Sequence, residues 1–246
     1  MARVAVLSDV HGNIAAFDAA WKEIKRAKPD AIAVAGDLAF NGPEPAATVA
    51  RLRELQGEGA IIVQGNTDVA VADFDYAAAF PWMPDVPDSF RAAAEWAHDQ
   101  LDDDSLEWLR GLPAERRLRF DDTLVLVCHG SPGSQTAGFN GDLDASVVVE
   151  MAGRTDARVI CCGHTHMADV RDLGWKLIVN DGSCGYAFDG DPSAAWALVA
   201  IEGEGVTADI HRVTYDAGAA ADAISRRGLP GDVYRAATIR AGRLIR

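Results

Sequence analysis

The chain has no CxxC pair, no long uninterrupted apolar run and no excess of positive charge. Its four cysteines are Cys128, Cys161, Cys162 and Cys184. Adjacent cysteines do not easily pair with each other, and without CxxC spacing a thioredoxin-like redox motif is excluded. All four are expected to be reduced and mostly buried small apolar groups, with exposure left open for Cys184 alone, nearer the site. No stretch approaches the roughly 18 apolar residues of a membrane-spanning helix. The opening "MARVAVLSDVHGN" meets Asp and His too early to read as a secretory signal. These absences predict a cytoplasmic protein without a membrane partner. Asp and Glu outnumber Lys and Arg by 37 to 23, for a net charge of −14. That field repels a long polyanion, and no basic track is evident, so long nucleic acid is not an expected partner.

What is present is ample apolar material: 49% of the 246 residues are hydrophobic, enough for one large core over 1–246. "RVAVLSD" at 3–9, "AIAVAGD" at 31–37 and "AIIVQGN" at 60–66 read as short buried strands. Between them "IAAFDAAWKEIKRAK" at 14–28 and "EPAATVARLRELQ" at 44–56 carry apolar residues at helical spacing, closed by Pro29 and opened by Pro45. The alternation predicts an α/β protein whose first sheet is parallel with right-handed crossovers.

The pattern then breaks. "DFDYAAAFPWMPDVPDSF" is aromatic and proline-rich, and "FRAAAEWAHDQ" and "SLEWLRGL" read as short helices. Residues 74–118 are therefore expected to form a helical insert, either packed on the sheet edge or capping a site. "TLVLVCHG" resumes the strands, "SVVVEMAG" reads as a helix, and "ARVICCGH", "WKLIVNDG", "AAWALVAIEG" and "GVTADIHRVTYD" read as further strands of a mixed or antiparallel sheet. Residues 217–246 predict two helices broken at "GLPG", the second with a basic face turned to solvent.

The chemistry lies at the strand ends. Asp9 and His11, Asp37, Asn66 and Asp68, His129, then His164 and His166 each follow an apolar run. In an open α/β sheet, sites form at the carboxyl edge of parallel strands, which would gather these residues. Four of the six histidines fall in this set. Imidazole mixed with carboxylate suits Mn, Fe, Zn or Ni better than Mg. Two such ions about 3.5–4 Å apart clamp a phosphate and lower the pKa of a bridging water. A carboxylate such as Asp37 can bridge two ions, whereas an imidazole cannot. The glycines at 36, 65, 130 and 163 are expected to let the backbone turn beside the ions.

"SDVHGN", "GDLAFNGPEP", "GNTD", "CHGSP" and "CGHTHM" resemble the five ordered motifs of calcineurin-like metallophosphoesterases. The similarity is closer to the bacterial branch that includes small phosphodiesterases and diadenosine-tetraphosphatase-like proteins, whose late "NPGS" turn "NDGSCG" resembles. The resemblance implies a four-layer α/β/β/α sandwich of two mixed sheets around two divalent ions, with manganese the first choice. Asp9, His11 and His166 would hold one ion, Asn66, His129 and His164 the other, and Asp37 would bridge them. Metal-bound hydroxide would attack phosphorus, with Asp37, Asn66 and Asp68 in the catalytic set.

One position departs from the family pattern. Many members carry a histidine where this chain has Thr67, and that histidine protonates the leaving alcohol. A threonine hydroxyl is too weak an acid for that, and general acid catalysis is typically worth about 10²–10⁴-fold. The expected substrate is thus a small phosphodiester with a good leaving group, a nucleotide among the candidates. Phosphomonoesterase or nucleotide pyrophosphohydrolase activity is the alternative. A metal-binding protein-interaction scaffold with little turnover is the alternative of another class. Asn13, Asn41 and Thr67 are the expected substrate contacts. His98 and His211 are the remaining histidines; His98 could reach in from the insert as a proton donor, but each reads more readily as a residue outside the chemistry.

Overall fold

The computed structural model describes residues 1–245. Strands β1 (Ala2–Leu7), β2 (Ala31–Val34) and β3 (Ile61–Ile62) run parallel, joined by helices α1 (Ile14–Ala27) and α2 (Pro45–Gly57). Two later strands extend the sheet past β1: β9 (Ala194–Glu202) pairs antiparallel with β1, and β10 (Gly205–Val213) antiparallel with β9. The first sheet therefore has the order β10-β9-β1-β2-β3. The second sheet is built from β4 (Glu115–Phe120), β5 (Thr123–Cys128), β6 (Val159–Cys162), β7 (Asp169–Asp172) and β8 (Leu177–Asn180), in the order β4-β5-β6-β8-β7. Its three inner strands are parallel and its two edges antiparallel.

Side chains alternate across a strand, and that period of two builds the layers. In β1, Val4 and Val6 face the space between the sheets while Ala5 and Leu7 face the outer helices. In β5, Val125 and Val127 face inward while Leu126 and Cys128 pack under helix α7 (Ala145–Ala152). The adjacent Cys161 and Cys162 obey the same rule and point to opposite faces of β6. The result is the four-layer order expected from the motifs. Helix α1 shows the local logic. Asn13 Oδ1 accepts the Ala16 amide at 3.2 Å, Phe17, Ala20, Trp21 and Ile24 form one buried stripe, and Lys28 ends the helix with φ of 49°.

Helix α3 (Asn66–Asp73) precedes the expected insert, and helices α4 (Tyr76–Ala79), α5 (Asp88–Asp99) and α6 (Asp103–Gly111) occupy most of it. Its end is corrected: residues 115–118 begin strand β4 and pair antiparallel with β5. The sequence "ERRLRF" alternates, with Leu118 and Phe120 packing against the core between the sheets and arginines between them. β7, "DVRD", is a polar edge strand without an apolar signature, and it too is absent from the sequence reading. Helices α8 (Ala217–Arg227) and α9 (Asp232–Ala241) break at "GLPG" as expected. The basic face is only partly solvated, because Arg235 is buried. Among the described residues no helix is long and apolar enough to cross a membrane.

All four cysteines are free and buried. Cys184, the one thiol for which exposure was left open, is 1% exposed, inside the core between the first sheet and its helices. A thiol-reactive dye should therefore label essentially none of the four in the native protein and all of them in denaturant; rapid labelling of one thiol in the native state would contradict this packing.

Candidate metal centre

The carboxyl edges of both sets of parallel strands meet at one place. β1 delivers Asp9 and His11, β2 Asp37, β3 and the start of α3 Asn66, β5 His129, and β6 His164 and His166. Asp9, His11, Asp37 and His166 bring ligand atoms within 4.8 Å of one another. Asn66, His129 and His164 form the adjoining half: Asn66 Oδ1 is 3.0 Å from His129 Nε2 and 3.0 Å from His164 Nδ1. Asp37 stands between the halves, its Oδ2 3.5 Å from His11 Nε2 and its Oδ1 3.3 Å from His129 Nε2. All seven candidate ligands named from the sequence are thus brought together.

Backbone carbonyls orient the rings. A carbonyl only accepts, so the ring nitrogen facing it must carry the proton. His11 Nδ1 donates to the Phe40 carbonyl at 2.9 Å, His129 Nδ1 to Ala35 at 2.7 Å, and His166 Nδ1 to Tyr186. In the neutral ring each Nε2 is then left as a lone pair aimed inward. His11 Nε2 and His166 Nε2 lie 3.2 Å apart, and two neutral rings in this setting would oppose two lone pairs. Asn66 is oriented likewise: its amide donates to the Ala79 carbonyl at 2.9 Å, so Oδ1 faces the centre. Asp9 Oδ2 accepts from the Ser8 hydroxyl at 2.6 Å and the His164 amide at 2.9 Å, while the buried Oδ1 has no hydrogen-bond partner. Lone pairs converging on a point without a donor fit a bound cation.

Charge says the same. Burial opposes ionisation of Asp9, yet His166 and His11 hold its carboxyl well below the usual range. Asp37 is lowered likewise against burial, chiefly by His129. Burial opposes charge on His129, yet the Asp37 carboxylate lifts it to about 10. Burial and the neighbouring His129 push His164 down to about 4. Two buried carboxylates demand positive charge here, as protons on imidazole or as metal.

The ligands also carry the sharp turns. Asp9, His11, Asp37, His164 and His166 have φ between 50° and 69°. Left-handed backbone at non-glycine residues costs on the order of 1–3 kcal/mol each and clusters at functional sites. The expectation that glycine would do the turning is therefore corrected in part. Gly65 and Gly163 have ordinary φ; they are needed for close approach. A Cβ on Gly65 would collide with Asp37, and one on Gly163 with Ser8 and the Asp9 carboxylate.

Three expected roles change. Asp68 does not face the centre: its carboxylate accepts from the amides of Asp37 (3.0 Å), Leu38 (2.8 Å) and Gly65 (2.9 Å). Burial and Asp37 push it up to about 7 against those amides. Asp68 is a brace for the turn that bears Asp37 rather than a group that meets substrate. Asn13 is 1% exposed and spent on the α1 cap, the Gly185 carbonyl and the Tyr215 hydroxyl, so it is not placed to contact phosphate. Asn41 Oδ1 accepts from Arg235 Nε at 2.9 Å. Thr67 donates its amide to Asp37 Oδ1 at 2.9 Å, and its buried hydroxyl has no partner. His98 lies off the centre, its Nδ1 facing the Val71 carbonyl at 2.8 Å, and His211 stacks on Trp196.

Residues not assigned from the sequence complete the setting. Asn180 donates to the Gly163 carbonyl at 2.8 Å, and the Ser183 hydroxyl donates to the Asp9 carbonyl at 2.8 Å. The Ser8 amide donates to Asp181 Oδ2, and burial with Asp9 nearby lifts the Asp181 carboxyl to about 8. All three lie in "NDGSCG", directly at or after the end of β8, where the strand-end rule would have found them. The insert lines a cavity of about 490 Å³ walled by Phe74, Tyr76, Phe80 and Arg91 among others; none of the seven candidate ligands lines it.

This two-sheet fold with a buried His/Asp/Asn cluster at its carboxyl edge is that of a metallophosphoesterase. The chain belongs to the calcineurin-like phosphoesterase superfamily, whose domain pattern matches residues 2–204. A metallophosphoesterase of Sphaerobacter thermophilus, known as a crystal structure, is 27% identical with a TM-score of 0.72, covering 98% of this chain and 99% of its own. The crystal structure of a hypothetical protein of Pyrococcus horikoshii shares the fold at a TM-score of 0.83 and 21% identity, covering 99% and 98%. An uncharacterized protein of Methanocaldococcus jannaschii is 25% identical over 245 residues, 92% of this chain and 93% of that one. Family and cluster together imply binding of a divalent metal.

If Asp68 is a brace, Asp68→Asn keeps one acceptor oxygen but loses bonds from the remaining amides. Leaving buried amides unpaired costs about 1–3 kcal/mol each. Urea unfolding of the metal-free protein should then show a loss of at least about 1 kcal/mol; unchanged stability would return Asp68 to the list of groups that act on substrate.

Proposed function

We propose that the protein is a dinuclear metal-dependent phosphoesterase that hydrolyses a phosphodiester of a small substrate, a nucleotide among the candidates. In this reading Asp9, His11 and His166 hold one divalent ion, Asn66, His129 and His164 hold the other, and Asp37 is shared. The observation that carries it is the set of inward lone pairs: His11 and His166 Nε2 at 3.2 Å, the unpartnered Asp9 Oδ1, and the two Asp37 oxygens directed to opposite halves. Mixed nitrogen and oxygen donors suit Mn, Fe, Zn or Ni, and manganese is the first choice for reconstitution. Ions bound there would supply Lewis-acid charge for a phosphoryl oxygen and a lowered pKa for bound water.

The chain's own residues do the rest. Carbonyls of Ala35, Phe40 and Tyr186 hold three imidazoles in one tautomer and raise their basicity as ligands. Six of the seven ligands are buried and His164 is only half-buried, so a substrate approaches from the His164 side. No strong proton donor stands at Thr67, whose hydroxyl is sealed and unpartnered. That favours aryl or phosphate leaving groups, which depart without protonation, and makes a diester a better substrate than an alkyl monoester. Four buried thiols suit a reducing, cytoplasmic setting.

The test is turnover of an aryl phosphodiester and the matching aryl phosphomonoester after chelation and again with Mn²⁺ restored. Activity on the diester that disappears with chelator and returns with Mn²⁺ is expected. Turnover indifferent to chelation would overturn the reading. Asp37→Ala should lose most bound metal, read by elemental analysis, together with activity; retained activity would refute the shared role. Thr67→His should raise turnover of alkyl diesters at least about tenfold more than aryl ones, within the range of general acid catalysis. An equal rise for both would sink the leaving-group account.

A further inference from the structure

Access to the metal centre is one-sided, and an aromatic ring stands at the opening. Trp82 lies between the short helix α4 and α5, in the proline-rich part of the insert. Its ring centroid is 5.8 Å from that of His164, the half-buried candidate ligand. The side chain is 49% exposed, unusual for the largest apolar residue. Neither ring beside it stacks on the indole: His164 lies at 69° and Phe80 at 81° to its plane. Across the centre, Phe188 already stacks on His166, with centroids 4.1 Å apart and planes 12° from parallel. Met167, next to His166, is 52% exposed. The mouth is thus bordered by apolar and π surface.

The position of Trp82 is held from behind. Asn66 donates to the Ala79 carbonyl at 2.9 Å, which ties the α4 end to the candidate ligand set. Phe80 packs on Phe40 and Phe90, with Phe40 supplying the carbonyl that orients His11. The ring is therefore anchored at its base and half exposed.

We propose that Trp82 is a specificity-determining stacking platform, which selects phosphate esters whose organic group is a planar aromatic ring, an aryl group or a nucleobase. The inference rests on the phosphoesterase reading above. A half-exposed indole beside the phosphate site, with no ring stacked on it, offers an aromatic ring an offset-stacked partner, worth roughly tenfold or more in affinity by the energies of such pairs. An alkyl group of the same ester gains only its smaller area.

The probes are phenylphosphonate and methylphosphonate, whose P–C bond resists hydrolysis, titrated calorimetrically into the Mn²⁺-loaded full chain. Phenylphosphonate should bind about tenfold tighter than methylphosphonate. Trp82→Ala should bring that ratio close to one, and Trp82→Phe should restore most of it. Equal binding of the two to the native protein, or a ratio kept in Trp82→Ala, overturns the platform and leaves the metal site standing. Binding of neither overturns the platform and the phosphoesterase reading together. Melting curves of both variants report that the fold is intact.

Discussion

The centre is organised by two carboxylates, Asp9 and Asp37, buried where water cannot solvate their charge. Burying an isolated carboxylate is costly, so positive charge must be supplied within a few ångströms. Imidazoles surround both, and the imidazoles are in turn locked by backbone carbonyls. Much of the strand-end architecture serves this electrostatic demand. Ser8 and the His164 amide occupy one oxygen of Asp9 and leave the other for the centre. Asp68 pins the Asp37 turn by accepting its amide, and the Thr67 amide holds the Asp37 carboxylate. The site is preorganised because, His164 apart, each candidate ligand's second polar atom is already engaged by the protein.

That preorganisation is bought with backbone strain. Five ligands sit in left-handed conformations that non-glycine residues avoid. Such turns persist only where the surroundings over-determine them. Here the surroundings are two sheets meeting at their carboxyl edges, with amide-to-carbonyl bonds crossing from one loop to the next. Asp9 donates to the Gly36 carbonyl, His11 to Asp37, Gly163 to His129 and Gly185 to Asp9. Gly65 and Gly163 allow loops to approach closely enough for these bonds. The layered cores behind them, built from alternating valine, isoleucine, leucine and cysteine, fix the distance between the loops.

The insert between β3 and β4 has a different character. It is short helices and proline turns joined to the centre by Asn66 and by the Phe40–Phe80–Phe90 cluster. The buried Arg235 of α9 lies against the same cluster, over Phe40 and Phe90, and bonds to Asn41. The insert, the second motif loop and the C-terminal helix are thereby held as one wall beside the metal centre. A guanidinium suits this position because its planar fork satisfies several neutral acceptors while its face lies on aromatic rings.

The amino-acid sequence by itself determined which residues gather at the site. Ligand-type side chains after apolar runs can only collect at the carboxyl edge of parallel strands, so Asp9, His11, Asp37, Asn66, His129, His164 and His166 were legible one by one. The period of two in the strands and the helical stripes of α1 and α2 made the layers legible too. β4 and β7 were not, because edge strands bury little and need no apolar signature. Tertiary structure alone decided direction and partner. Asp68 turned to three amides, Asn13 to a helix cap, Cys184 into the core, and the ligands themselves took the left-handed turns assigned to glycine. Those outcomes depend on backbone groups from distant loops, Ala35, Phe40 and Tyr186 among them. Every residue carries the same carbonyl and amide, so no pattern of side chains can announce which of them a given ligand will meet.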